Sequence, residues 1–135
     1  MRSGCPINLT LERLGDKWSL IVVRDIMFGR RHFRELLERS PEGIASNILA
    51  DRLKKLVAAG LLTTAPDPSH KQRTLYSLTE AAIDLVPVLA ALGAWGNKHM
   101  PAAPKPAERV ARLDDPAHRQ AVMDALRHTH IEGHQ

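Results

Sequence analysis

Residues 45–60 read ASNILADRLKKLVAAG, and the periodicity of this stretch decides the fold. Ile48, Leu49, Leu53, Leu56 and Val57 recur at helical spacing and form one apolar face. Asn47, Asp51, Lys54 and Ala58 fall on the opposite face. Gly60 follows the last periodic residue, where a left-handed helix end suits glycine. Immediately upstream, FRELLERSPEG holds a shorter helical run over 33–39, then a turn with Pro41 and Gly43. Two helices joined by a tight glycine-containing turn predict a helix-turn-helix. The second helix is then the one shaped to enter a DNA major groove.

The segment after Gly60 extends this reading. Residues 61–65 carry Leu62 with the β-branched Thr63 and Thr64, and 66–72 (PDPSHKQ) form a dense turn signal. Residues 73–78 (RTLYSL) return as a second strand. A β-hairpin directly after the second helix is a wing. The fold class expected is therefore mainly α (α+β), a winged helix-turn-helix with a two-stranded wing and terminal dimerisation helices. Lys71 and Arg73 are expected at the wing tip, within reach of phosphates of an adjacent groove.

Upstream, residues 1–8 read as extended and 9–14 as a short helix broken by Gly15. Asp16 or a neighbour can cap the next run, 17–28, which is rich in large apolar residues. Ile21-Val22-Val23 alone looks like a strand, but the length of the run and its glycine boundaries favour a buried helix. Trp18 reads as core, with ligand stacking the alternative. Downstream, residues 80–100 form a long apolar helix that Pro87 should kink. Its apolar surface exceeds the needs of one small domain, so much of it is assigned to a homodimer interface. PAAPKP (101–106) reads as a linker and 107–129 as helical, restarting near Asp115-Pro116. The domain expectation is 1–100 for DNA binding and dimerisation, and 101–135 for a linker and helical extension.

Composition sets limits. At 135 residues and 44% hydrophobic, the chain is long and apolar enough for one real core. The net charge is +4, and all of that surplus lies within residues 1–100, which hold 14 Lys/Arg and 10 Asp/Glu. A basic surplus confined to the helix-turn-helix half suits a phosphate-facing surface. No apolar run approaches the roughly 18 residues that span a bilayer, and no signal-peptide core leads the chain. No membrane association and a cytoplasmic location are expected, and a single cysteine fits a reducing compartment.

The residues that carry chemistry follow from these placements. Ser46, Asn47 and Ala50 lie early on the second helix, where base edges are met, and asparagine can pair bidentately with adenine. Lys54 suits a phosphate. Arg52, on the flank of the apolar face, can bond a phosphate or a neighbouring carboxylate. Arg30 and Arg31, with Lys71 and Arg73, are phosphate candidates at the two edges of the same surface. Cys5 reads either as a redox or electrophile sensor or as an inert residue of an N-terminal arm. A sensor needs a thiol pKa lowered by a helix N-terminus or a cation, and Arg2 is the nearby cation in sequence. His128, His130 and His134 read as a polar tail, because i, i+2 spacing does not put the first two on one helical face. No nucleophile, base and orienting group assemble, so no enzyme is expected, nor any cofactor or metal.

The set Cys5-Pro6-Ile7, Gly15-Asp16-Lys17-Trp18, Gly29, Phe33-Arg34-Glu35-Leu36, Gly43-Ile44, Leu49, Leu53, Gly60-Leu61 and Tyr76-Ser77-Leu78-Thr79 resembles HxlR-type regulators, a branch close to the MarR regulators. The resemblance covers about residues 5–100. It implies a dimeric winged-helix transcription factor on double-stranded DNA, paired through N- and C-terminal helices. In some members the cysteine near the N-terminus senses an oxidant or electrophile effector; a small-molecule effector is the other expectation. The chain departs from the family pattern at Ala45, where Ser or Thr is usual, and Ser46 is expected to take over the helix cap. It also departs at His32, Asn47 and Thr64, where basic residues are common, and at Leu75, where Glu is common. A winged helix that binds a protein partner and no DNA is the rival reading, and salt-dependent binding to duplex DNA separates the two.

Overall fold

The computed structural model describes residues 3–134, and its packing divides the chain between Ser77 and Leu78 into two compact units. The first unit holds α1 (Pro6–Leu14), α2 (Ser19–Met27), α3 (Phe33–Glu38), α4 (Ser46–Ala58) and a hairpin of β1 (Leu62–Asp67) with β2 (His70–Leu78), whose last residue opens the second unit. Leu49, Leu53 and Leu56 of α4 are buried, and α4 packs on α2, α3 and β1. Val22, Val23 and Ile26 of α2, Leu36 of α3 and Leu62 of β1 supply the rest of the core. This is the α+β winged helix-turn-helix that the periodicity predicts. The turn before α4 passes through Gly43 at φ +70°, and α4 ends at Gly60 with φ +77°. Both conformations disfavour a Cβ, which is why glycine stands there.

Several boundaries differ from expectation for local reasons. α1 begins at Pro6, because proline fits the first helical turn, where its missing N–H would be unbonded anyway. Cys5 is thus a helix cap residue and not part of an extended arm. Ala45, not Ser46, takes the cap position of α4, with extended backbone and no side-chain acceptor. Trp18 is half-buried, with Lys17 Nζ lying 4.9 Å from its ring centroid. The wing is a tighter hairpin than the turn signal suggests. Pro66 and Asp67 belong to β1 and His70 to Gln72 belong to β2, which leaves Pro68-Ser69 as the connection.

The second unit is helical: α5 (Glu80–Ile83), α6 (Val86–His99), α7 (Pro104–Ala111) and α8 (Pro116–His130). Pro87 does not kink a single long helix. The chain breaks after Ile83, and Pro87 lies in the first turn of α6. Pro104 likewise starts α7 inside the expected linker. Asp115 caps α8 by accepting the amide of Ala117, so the restart there is as expected. α7 lies flush on α6 at Gly93, and Asn97 Nδ2 donates to Ala107 O at 3.0 Å. α8 docks on α5: Arg127 bonds both carboxylate oxygens of Glu80 at 3.0 Å, and His130 Nδ1 accepts the buried amide of Leu78 at 3.1 Å.

A Cβ on Gly93 would run into Val110 Cγ1. Helix propensity alone makes Gly→Ala in a helix favourable by about 1 kcal/mol, whereas overpacking costs about 1–3 kcal/mol. Gly93→Ala is therefore expected to lower the thermal midpoint by several degrees, at about 4 °C per kcal/mol for a chain of this size. A rise in the midpoint would contradict the close packing of α7.

Candidate nucleic-acid interface

The residues expected to meet DNA separate into two groups. Ser46, Asn47, Ala50 and Lys54 are exposed on α4, with Asn47 and Lys54 opposite its buried leucines and Ser46 and Ala50 on the flank. Lys71 is exposed on the wing. The four arginines of the expected set each contact groups of the protein itself.

Arg52 Nε donates to Asp16 Oδ2 at 2.8 Å, and its Nη1 donates to Asp51 Oδ2 at 2.7 Å. Asp16 also accepts the amides of Trp18 and Ser19, at 3.0 and 3.1 Å, and the Ser19 hydroxyl. One carboxylate thus ties the start of α2 to the middle of α4. Burial pushes the Asp16 carboxyl up, but the hydrogen bonds from Ser19 and Arg52 outweigh this and hold it well below the usual carboxylate range. Of the two uses left open for Arg52, its geometry takes the carboxylate.

Arg30 turns to Asp25, with Nη1 3.4 Å from Oδ1. Asp25 is buried, and Arg24 bridges it to Glu42 in the turn before α4, with contacts of 2.8 Å to Asp25 and 2.7 Å to Glu42. Burial raises the Asp25 carboxyl despite both arginines. Arg31 bonds the end of β2: Nε donates to Tyr76 O at 3.1 Å and Nη2 donates to Ser77 Oγ at 2.6 Å. Burial lowers its pKa, opposed by the charge of Asp67.

Arg73 closes the wing turn, its Nε donating to Asp67 Oδ2 at 2.9 Å. Asp67 Oδ1 accepts the amide and hydroxyl of Ser69 at 2.9 and 2.8 Å. The Ser69 amide first, then its hydroxyl and Arg73, hold the Asp67 carboxyl down at about 2. The sequence offers a carboxylate for Arg52 without saying which, and it offers none for Arg30 or Arg73. Asp16, Asp25 and Asp67 are distant in sequence from Arg52, near Arg30 only across a turn, and across a hairpin from Arg73, so spacing alone does not pair them.

Cys5 is exposed, and the backbone amides of Asn8 and Ile7 lower its thiol pKa. Arg2 lies outside the described residues, as does the side chain of His134. His128 pairs with Glu132 at 3.0 Å, and no cluster of three metal-binding side chains occurs among the described residues. Among these residues, no helix is long and apolar enough to cross a membrane.

A sequence profile described as HxlR-like helix-turn-helix matches residues 13–104. The chain belongs to the HxlR family. An HTH-type transcriptional regulator of Mycobacterium tuberculosis, Rv3095, is 36% identical over 98 residues, covering 73% of this chain and 61% of the mycobacterial protein. The chain thus matches about three-fifths of the length of that relative. A Synechocystis HTH-type regulator, sll1512, is 33% identical over 93 residues, or 69% of this chain and 68% of the relative. Among solved structures, the transcription factor PA1607 superposes with a TM-score of 0.68 at 36% identity, covering 77% of this chain and 70% of PA1607. The reduced form of the Bacillus subtilis regulator YodB gives 0.62 at 26% identity, covering 76% of this chain and all of YodB. The matching relatives are named as HTH-type transcriptional regulators.

The depressed carboxyls set an acid limit. Asp16 and Asp67 support the fold while ionised, so their contribution is complete above pH ~4, the unfolded carboxylate range, and is lost as pH falls through their folded values. Between pH 4 and pH 2 the parent is expected to lose stability progressively in chemical unfolding. Arg52→Met should lose less over that window, because part of the Asp16 depression is already gone. An equal acid slope in both proteins would show that Arg52 does not hold Asp16 down.

Proposed function

We propose that this regulator binds duplex DNA sequence-specifically as a homodimer, reading base edges with Ser46, Asn47 and Ala50 and meeting phosphates with Lys54 and Lys71. The observation that carries the reading is the division of α4. Its leucines are buried, while a polar, carboxylate-poor face with a lysine stays in solvent. Asp51, the one carboxylate on that face, is held by Arg52 and Lys55 at 2.7 and 3.2 Å. That leaves Asn47 and Lys54 to set the local polarity.

Pairing of two copies is supported by apolar surface that neither unit covers within itself. α6 exposes Val88, Leu92 and Trp95 at helical spacing, and α1 exposes Ile7 and Leu11 one turn apart. A stable dimer buries well over ~1,000 Å², and two-fold symmetry would set the recognition helices about 34 Å apart, one turn of DNA. Cys5 is the proposed point of redox or electrophile control. Its exposure at the cap of α1 and its lowered thiol pKa support a reactive thiolate.

Fluorescence anisotropy on duplex DNA across a salt series tests the reading, alongside light scattering for the dimer. Lys54→Ala and Lys71→Ala should each weaken binding to every sequence and reduce the salt slope by about one, and Asn47→Ala should shift sequence preference. The thiol oxidant diamide should weaken binding by the parent and leave Cys5→Ser unaffected. Salt-independent binding, or none, would favour a protein partner instead.

A further inference from the structure

Arg31 was expected to meet a phosphate, but its bonds point inward. It lies in the short segment between α2 and α3, just after Gly29 at φ +97°. Its carbonyl accepts the Tyr76 amide at 2.8 Å, and its Nε donates to the Tyr76 carbonyl at 3.1 Å. One residue therefore takes both backbone polar groups of Tyr76. Its Nη2 donates to the hydroxyl of Ser77, which is 2% exposed. Its own amide donates to Glu35 Oε1 at 3.3 Å, which fixes Arg31 to the first turn of α3. β1 is held to α4 by chain continuity and packing. β2 has its own tie at this root.

We propose that Arg31 is a positioning residue that sets the angle of the wing, so that Lys71 at the other end of β2 reaches a DNA phosphate. The inference rests on the DNA-binding reading above. Lys71 and Tyr76 are five residues apart on one strand, so about 17 Å separates the lysine from the tie. A tilt of about 10° at the root moves the tip by about 3 Å over that lever arm, which is as long as a whole hydrogen bond. Loss of the tie therefore silences Lys71 without removing it. Ser77 gives the inference an independent handle. Its buried hydroxyl cannot touch DNA, yet it holds the guanidinium.

The test is duplex affinity across a salt series for the parent, Arg31→Gln, Lys71→Ala, their double variant and Ser77→Ala. Arg31→Gln should weaken binding about tenfold, the scale of a lost charged hydrogen bond, and reduce the salt slope by about one. Lys71→Ala should reduce the slope equally, and the double variant should lose about one in total. Ser77→Ala should weaken binding in the same direction by a smaller factor. Amide exchange should rise along β2 in Arg31→Gln and stay unchanged in α4, which separates a loosened wing from a lost fold. A double variant whose slope falls by about two would show that Arg31 meets a phosphate itself. Ser77→Ala and Arg31→Gln both binding as the parent does would also overturn the proposal. A parent that binds no duplex removes the DNA-binding reading instead, and unchanged exchange along β2 in Arg31→Gln then overturns the positioning role separately.

Discussion

The burial of one face of α4 is the constraint on which the rest of the first unit depends. Leu49, Leu53 and Leu56 are 0, 2 and 2% exposed, and full burial of each contributes about 1.5–3 kcal/mol relative to exposure. That contribution comes from α2, α3 and β1 closing over the leucines. It fixes the rotation of the helix about its axis, and with it which residues remain outside. Ser46, Asn47, Ala50 and Lys54 are outside because the leucines are inside. A change of helix rotation that exposed a leucine would lose stabilisation on the scale of a large core truncation.

A second layer of constraint is ionic. The basic surplus of the first hundred residues reads, from sequence, as surface aimed at phosphate. In the structure Arg24, Arg30, Arg52 and Arg73 instead hold Asp25, Glu42, Asp16 and Asp67. These pairs join elements: α2 to the turn before α4, the start of α2 to the middle of α4, and β1 to β2. They are partly buried, so removal of one partner leaves a desolvated charge, and their role is to hold geometry more than to add net stability. Lysines remain for the solvent face. Their flexible, strongly hydrated ammonium groups suit phosphate contacts that need no fixed fork.

Much of this was legible in the sequence and some was not, for identifiable reasons. The apolar period of α4, Gly43 and Gly60 predicted the helix-turn-helix, because those signals are local. The wing was legible as a hairpin, but its turn was read too long. The Pro-Asp-Pro-Ser cluster carries a strong turn propensity, whereas Pro66 sits in β1 and Asp67 folds back on Ser69 and Arg73. Val57, counted in the apolar face, is 36% exposed at the end of α4. The fates of the arginines were not legible, since they depend on which carboxylates tertiary packing brings near. The sequence alone reads Pro87 as a kink and Pro104 as part of a linker. Both are helix starters, a role that depends on where the preceding helix ends.

The central claim is that α4 presents its polar face to DNA while its leucines hold the core. The most direct measurement is NMR of the protein, amide- and methyl-labelled, titrated with duplex DNA. The account predicts the largest amide shifts at Asn47, Ala50 and Lys54, with those at Lys71 next, and methyl resonances of Leu49 and Leu53 that barely move. Shifts concentrated away from α4 and the wing, or large changes at the buried leucine methyls, would contradict it.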